Sequence, residues 1–421
     1  MQKRILPIKS FDFCSSVPSD KSISHRAVMF GCAASGPSTV TNALMSDDVL
    51  STIDCMRALG ADIEISGTTV KIKKAADFRS AKLYTGNSGT TTRLISGLLA
   101  GKSGVYEIDG DASIQARPMN RVIVPLSAMG AKIAANGDKG LCPMKIEGAP
   151  LVGIDYKMPV ASAQVKSAIL LAGIGADGKT TVREEIKSRD HTERMLAAMG
   201  AKIKTDKLVT SVEKSTLSPI DVRVCGDISS AAFPLVLAAG LKGGRAVIKD
   251  VGLNPTRVGI VNVLKNCGAK IDVLGDMSGV GEPVGNIDLR FSSSLKPFNI
   301  TREMIPSLVD EIPALSVLAC FIEGESVISG AEELKVKESN RIKTIAENLA
   351  AMGADITEKE DGLIIRGKGY LQGGATINPH GDHRIAMSMA VAAALSKEGA
   401  VIDNAECVSV SYPDFFEITE Q

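Results

Sequence analysis

"LAAMGAKIKT" at 196–205 is one of five near-copies of a single pattern. The others are "MRALGADIEI" (56–65), "LSAMGAKIAA" (126–135), "LKNCGAKIDV" (264–273) and "LAAMGADITE" (349–358). Each reads as the last turn of a helix, a Gly-Ala pair, and then a strand. Glycine directly after the final helical turn suits the C′ position, where positive φ brings no Cβ clash. The glycines are Gly60, Gly130, Gly200, Gly268 and Gly353, so the steps are 70, 70, 68 and 85 residues. Near-equal steps of this length mark a repeated architecture.

A second series interleaves with the first. Helices rich in small residues run over 22–36, 88–101, 162–175, 228–240, 311–324 and 382–399, each followed by a short β-rich run such as "STVTNALM" or "VYEIDG". One repeat therefore reads helix, strand, second helix closing on Gly-Ala, and a pair of strands. There are six first helices but only five complete second halves, because the chain stops after "SYPDFFEITEQ". The strand-like "KRILPIKSF" (3–11) is left over at the amino end and is expected to complete the sixth repeat. Both chain ends then share a lobe. The expectation is an α/β (α+β) chain of two lobes with three repeats each, one over 16–225 and the other over 226–421 plus 1–15.

Composition removes several functional classes. The 421 residues carry 48 basic and 48 acidic side chains, so no net field draws the chain to nucleic acid or an anionic membrane. Trp is absent and aromatics are scarce, which argues against base-stacking platforms. The eight cysteines are scattered, without a C-x-x-C pair, as expected of buried thiols in a reducing cytosol. No signal-peptide core or long apolar span is present, and a cytoplasmic protein is expected. "GLLAGKSG" lacks the leading glycine of a phosphate loop, since that place is Ser96, and it ends a helix instead of opening one. "HGDH" (380–383) has too few neighbouring ligands for a metal site, and "SRDHTE" (188–193) reads as a helix start rather than a catalytic triad.

Polar residues crowd the first turn of these helices. The first repeat offers Lys21, Ser22 and Arg26 in "PSDKSISHRA"; the second offers Asn87, Ser88, Gly89, Thr90 and Arg93. The third has Ser162, Gln164 and Lys166, the fifth Asp310 and Glu311, and the sixth Asp382, His383 and Arg384. For Ser22, Ser162 and Asp310, capping is a sufficient explanation. It does not explain the cations, because a helix amino end already carries partial positive charge. The second helices repeat the oddity: Arg117 precedes Pro118, Arg189 opens "SRDHTERML" and Arg341 closes "KVKESNR". Pseudo-equivalent repeats would aim their helix starts alike. Lys21, Arg26, Arg117, Arg189, Lys337, Arg341 and Arg384 then describe a site for several anionic groups at once.

These segments resemble one family. "PSDKSISHRA", "GNSGTTTRL", "GDASIQARPMNRV", "SAQVKSAILLAG", "SRDHTERML", "DEIPALSVLACFIEG", "LKVKESNRI" and "GDHRIAMSMA" are together similar to the 5-enolpyruvylshikimate-3-phosphate synthases, over essentially the whole chain. The resemblance implies the two-lobed enolpyruvyl transferase architecture of six βαβαββ units, closing over shikimate 3-phosphate and phosphoenolpyruvate. It implies that Lys21, Ser22, Arg26, Ser162, Gln164, Arg189, Asp310 and Lys337 bind shikimate 3-phosphate. For phosphoenolpyruvate it implies Lys21, Gly89, Arg117, Gln164, Arg341 and Arg384. Asp310, helped by Lys21, would be the base at the 5-hydroxyl, and Glu338 would carry the proton at the methylene carbon. No metal or organic cofactor is implied, and a monomer is expected.

Two alternatives remain. The UDP-N-acetylglucosamine enolpyruvyl transferases share the donor, but they carry a Cys before the Arg-Pro pair, where this chain has Ala112. A non-catalytic anion-binding repeat protein would explain the cations, but not the carboxylates Asp310 and Glu338 among them. One departure from the family pattern is Val410 in "SVSYP", where some members have Lys.

Overall fold

The computed structural model describes residues 1–277 and 281–420. It divides into two compact lobes. Ser19–Val224, with Glu282, makes one; Met1–Pro18, Cys225–Met277 and the chain from Pro283 on make the other. They are called here the 19–224 lobe and the 225–420 lobe.

All five Gly-Ala pairs fold as expected, and for the expected reason. Gly60, Gly130, Gly200, Gly268 and Gly353 take φ of 103°, 104°, 81°, 94° and 91°. In each, the glycine N–H and the following alanine N–H return to carbonyls of the last helical turn. Gly200 bonds Ala197 at 3.0 Å and Ala201 bonds Leu196 at 2.9 Å, and the other four pairs repeat this. This double closure satisfies helix carbonyls that would otherwise be left open and turns the chain into a strand.

Five repeats each build a four-stranded sheet of one topology, and the sixth a three-stranded one. Two parallel strands are joined through a helix, and an antiparallel pair follows. In the second repeat Ala81–Tyr84 runs parallel to Val105–Asp109, which pairs antiparallel with Leu141–Glu147, flanked by Lys132–Asn136. The third and fifth repeats match this order with contiguous chain. The first and fourth borrow their leading strand. Asp221–Arg223 pairs parallel with Ser38–Thr41, and Asp12–Ser16 pairs parallel with Arg245–Gly252. The amino-terminal segment is thus two strands and not the single one expected over 3–11. Lys3–Ile5 completes the sixth repeat by pairing antiparallel with Ala400–Ile402, and Asp12–Ser16 serves the fourth.

The six first helices form the cores. They are α1 (Lys21–Ala33), α2 (Gly89–Ala100), α3 (Ala163–Gly173), α4 (Ile228–Gly240), α5 (Ile312–Cys320) and α6 (His383–Leu395). Every residue of α5 is buried, as is every residue of α4 and α6 before the last, and helices apolar all round belong in an interior. In the 225–420 lobe these three pack on one another. In the 19–224 lobe α2 meets α3 so closely that a Cβ on Gly97 would lie 2.2 Å from the Ala168 carbonyl oxygen. Six of the eight cysteines are buried, while Cys14 is exposed and Cys407 half-buried. Among the described residues no helix is long and apolar enough to cross a membrane.

Two consequences can be measured. Gly97→Ala must force α2 and α3 apart, since the obstacle is backbone; destabilisation of about 1–3 kcal/mol is expected in denaturant unfolding. The second concerns His25, which is fully buried on α1 with Nδ1 2.7 Å from Thr52 Oγ1. Burial, reinforced by Lys21 and Arg26, holds its pKa well below the ordinary 6.5. The unfolded chain then takes up a proton below about pH 6.5 that the folded chain refuses, so stability falls as pH drops from there. His25→Gln should flatten this part of the profile of melting temperature against pH, and an unchanged slope would show that His25 is not its source.

Candidate active site

The amino end of α1 shows how this chain tolerates cations at a helix start. Asp20 is the cap, its carboxylate accepting the Ile23 N–H at 2.8 Å. Lys21 Nζ lies 3.3 Å from Asp48 Oδ2, in the first turn of the helix Asp47–Ala58. Arg26 is 3% exposed and is anchored by all three of its nitrogens. Nε donates to Thr192 Oγ1 at 2.8 Å, Nη1 to the Ser22 carbonyl at 3.0 Å and Nη2 to Ser167 Oγ at 3.0 Å. Burial lowers its pKa to about 10, with Glu193 and Asp20 opposing, so it stays charged at neutral pH. Arg189 is half-buried and adds to the positive field on Arg26.

A second cluster gathers at α2. Ser88 caps the helix by accepting the Thr91 N–H at 3.2 Å. Arg93 Nη1 donates to the Gly89 carbonyl and to Gln164 Oε1, both at 3.1 Å, and Gln164 Nε2 donates to Thr90 Oγ1 at 2.8 Å. Arg117 Nη2 donates to Asn87 Oδ1 at 3.0 Å and to Ser113 Oγ at 3.1 Å. A Cβ on Gly89 would lie 2.5 Å from Arg93 Nη1 and 3.1 Å from Arg117 Nη1. Glycine thus lets two guanidinium groups stand over one helix amino end, an arrangement suited to a phosphate or carboxylate. Ser162 caps α3 through the Val165 N–H at 3.5 Å, as expected.

In the 225–420 lobe the centre is Arg341, the first residue of the helix Arg341–Ala351 and only 1% exposed. Its guanidinium touches three carboxylates: Glu338 at 2.7 Å, Asp382 at 2.8 Å and Asp310 at 3.1 Å. These partners raise its pKa against the opposing effect of burial. Asp382 also caps α6, accepting the Arg384 N–H at 2.9 Å, and takes the Ser339 hydroxyl at 3.2 Å. Arg384 is 3% exposed, and its Nη1 is buried with no hydrogen-bond partner among the described residues. Lys337 Nζ turns back to Glu333 at 3.3 Å.

Several sequence expectations need correction. Ser22 does not cap α1, because Asp20 does, and Asp310 binds Arg341 while the cap position of α5 is Glu311. Lys166 is no part of a polar rim. It is wholly buried, 2.9 Å from Glu184 and 2.7 Å from Glu193. The repeat pattern predicts no polar feature at α4, yet Arg257 is buried there, donating to Asp227 at 2.9 Å and Ser229 at 2.7 Å, while Ser229 donates to Glu311. Nor does the sequence single out Asp48 as the partner of Lys21. An acidic residue in the first turn of the second helix was its only signal, and that is ordinary helix chemistry.

The model of the family described as EPSP synthase (3-phosphoshikimate 1-carboxyvinyltransferase) matches residues 15–419. The 3-phosphoshikimate 1-carboxyvinyltransferase of Bacillus subtilis (strain 168) is 48% identical over 406 residues, covering 95% of each chain. That of Thermoanaerobacter sp. (strain X514) is 49% identical over 405 residues, again covering 95% of each. Among solved structures, EPSP synthase from Acinetobacter baumannii superposes with a TM-score of 0.88 at 42% identity, covering all of this chain and 97% of the other. The enolpyruvyl transferase NikO from Streptomyces tendae shares the fold, with a TM-score of 0.83 at 18% identity over 99% of this chain and 96% of its own. With its repeats, its helix-end cations and a match along almost its whole length, the chain belongs to the EPSP synthase (3-phosphoshikimate 1-carboxyvinyltransferase) family.

Proposed function

We propose that this chain transfers the enolpyruvyl group of phosphoenolpyruvate to the 5-hydroxyl of shikimate 3-phosphate and releases phosphate. The observation that carries this reading is Arg341 ringed by Asp310, Glu338 and Asp382. A protein that only held anions would need one carboxylate to balance this buried cation; it has no use for three, which leave the cluster net negative. Proton transfer chemistry does need them.

The acceptor is assigned to Lys21, Ser22, Arg26, Ser162, Gln164, Arg189, Asp310 and Lys337. Phosphoenolpyruvate is assigned to Lys21, Gly89, Arg117, Gln164, Arg341 and Arg384. Supporting this, Gln164 already joins α3 to the guanidinium pair at Gly89, and Arg384 has donor capacity to spare. In the addition step the 5-hydroxyl loses its proton to Asp310, aided by the Lys21 ammonium, and its oxygen attacks C2 of phosphoenolpyruvate. C3 takes a proton from Glu338. The tetrahedral adduct then returns a proton from C3 to Glu338 as the C2–O bond to phosphate breaks, and the departing phosphate takes up the proton held by Asp310, so both carboxyl groups regain their starting states. As a donor, Glu338 must begin protonated. An arriving phosphoenolpyruvate anion adds like charge to a cluster that is already net negative, and this favours proton uptake by one carboxylate. Fixed guanidinium groups stabilise charge on the departing phosphate.

The test is phosphate release with both substrates, repeated with UDP-N-acetylglucosamine as acceptor. Release with shikimate 3-phosphate alone as acceptor is expected, and release only with the nucleotide sugar would overturn the reading. Asp310→Asn and Glu338→Gln each keep an oxygen near Arg341 but lose the acid–base function. Each should cut kcat by about 10²–10⁴-fold, with the circular dichroism spectrum unchanged. If both folded variants turned over at near-normal rates, the two assignments would be wrong.

A further inference from the structure

Glu184 and Lys166 lie outside the groups assigned to either substrate, yet both are buried. Lys166 Nζ sits 2.9 Å from Glu184 Oε2, 2.7 Å from Glu193 Oε1 and 3.4 Å from the Ser188 carbonyl oxygen. Glu184 Oε1 accepts the Ser188 N–H at 3.0 Å and the Ser188 hydroxyl as well. Ser188 is therefore held at its amide, its carbonyl and its side chain by one ion pair. The next residue is Arg189. Just beyond it, Thr192 is anchored too, accepting from Arg26 Nε at 2.8 Å and lying 2.6 Å from Ser167 Oγ. Arg189 thus stands on a short stretch of backbone pinned on both sides, beside the field of Arg26.

A buried ion pair is weak evidence of a stabilising role, because well-packed apolar side chains serve stability as well or better. What it does provide is directional hold on particular atoms. Here the atoms held are the backbone groups immediately before a cation. We propose that Glu184, kept in place by Lys166, is a positioning residue that sets the backbone carrying Arg189 and so its grip on the phosphate of the acceptor. This rests on the assignment of Arg189 to shikimate 3-phosphate given above. Without the clamp, Arg189 spends part of its time in other conformations, and affinity falls with the competent fraction.

The full-length chain carries the test, with steady-state kinetics and calorimetric binding of shikimate 3-phosphate as readouts. Glu184→Ala should raise the KM and Kd for shikimate 3-phosphate about tenfold, the size of one charge-assisted hydrogen bond. The KM for phosphoenolpyruvate and kcat should stay within about twofold. Glu184→Asp keeps the charge opposite Lys166 but withdraws oxygen from Ser188, so it should fold and show the same selective loss in milder form. Glu184→Gln keeps an oxygen for Ser188 but sets its NH2 against the Lys166 ammonium, so it should recover only part of the lost shikimate 3-phosphate binding. Combined with Arg189→Ala, Glu184→Ala should add no further loss, because the two act through one contact. A purely structural Glu184 would lower the melting temperature while leaving the KM values unchanged or shifting both together, and would add fully to Arg189→Ala; any of these overturns the proposal. If Glu184→Ala does not fold, the Glu184→Asp result decides. A parent chain that releases no phosphate from these substrates refutes the functional reading itself, and is recognised without any variant.

Discussion

A guanidinium or ammonium taken out of water costs several kcal/mol unless carboxylates and hydrogen bonds meet it. Both lobes bury such groups, and at helix amino ends, where the backbone is already electropositive. The chain satisfies the constraint one helix at a time. Asp20 and Asp48 serve the first turn of α1, while Glu184 and Glu193 serve Lys166 under α3. Asp227 and Glu311 serve the Arg257–Ser229 network at α4, and three carboxylates serve Arg341. Arg384 differs, because one buried guanidinium nitrogen has no hydrogen-bond partner among the described residues.

The same economy governs the backbone. Five helices stop by one double hydrogen-bonded glycine cap, and each stop delivers a strand to the same position in a four-stranded sheet. Because the stops repeat, the helix starts repeat as well. Equivalent positions at those starts could then diversify. At the amino end of the core helix one repeat presents lysine, another glycine with arginines over it, another a serine cap, and another an aspartate that both caps and binds Arg341.

Much of this was legible in the sequence. Glycine after an apolar helix has one strong explanation, so Gly60 through Gly353 marked the repeats. Arginine beside a helix start has few structural explanations, so Arg117, Arg341 and Arg384 stood out. Two things were not legible. Strand exchange between distant repeats leaves no local mark: Asp221–Arg223 looks the same whether it serves its own repeat or the first. Burial of charge was equally hidden, because Lys166 occupies a helix-start position like that of a ligand-binding residue. Only the partners at Glu184 and Glu193, brought in by folding, assign it to the interior.

The borrowed strands also set an order of assembly. Once residue 224 has been synthesised, the 19–224 lobe has every strand of its three sheets. The other lobe cannot close so early. Its opening segments, Lys3–Ile5 and Asp12–Ser16, are made first, but their partners Ala400–Ile402 and Arg245–Gly252 come much later. During translation these two strands stay unpaired until those partners emerge, a long-range closure of the kind that slows folding and exposes strands to wrong partners. Segments made late give segments made early their place.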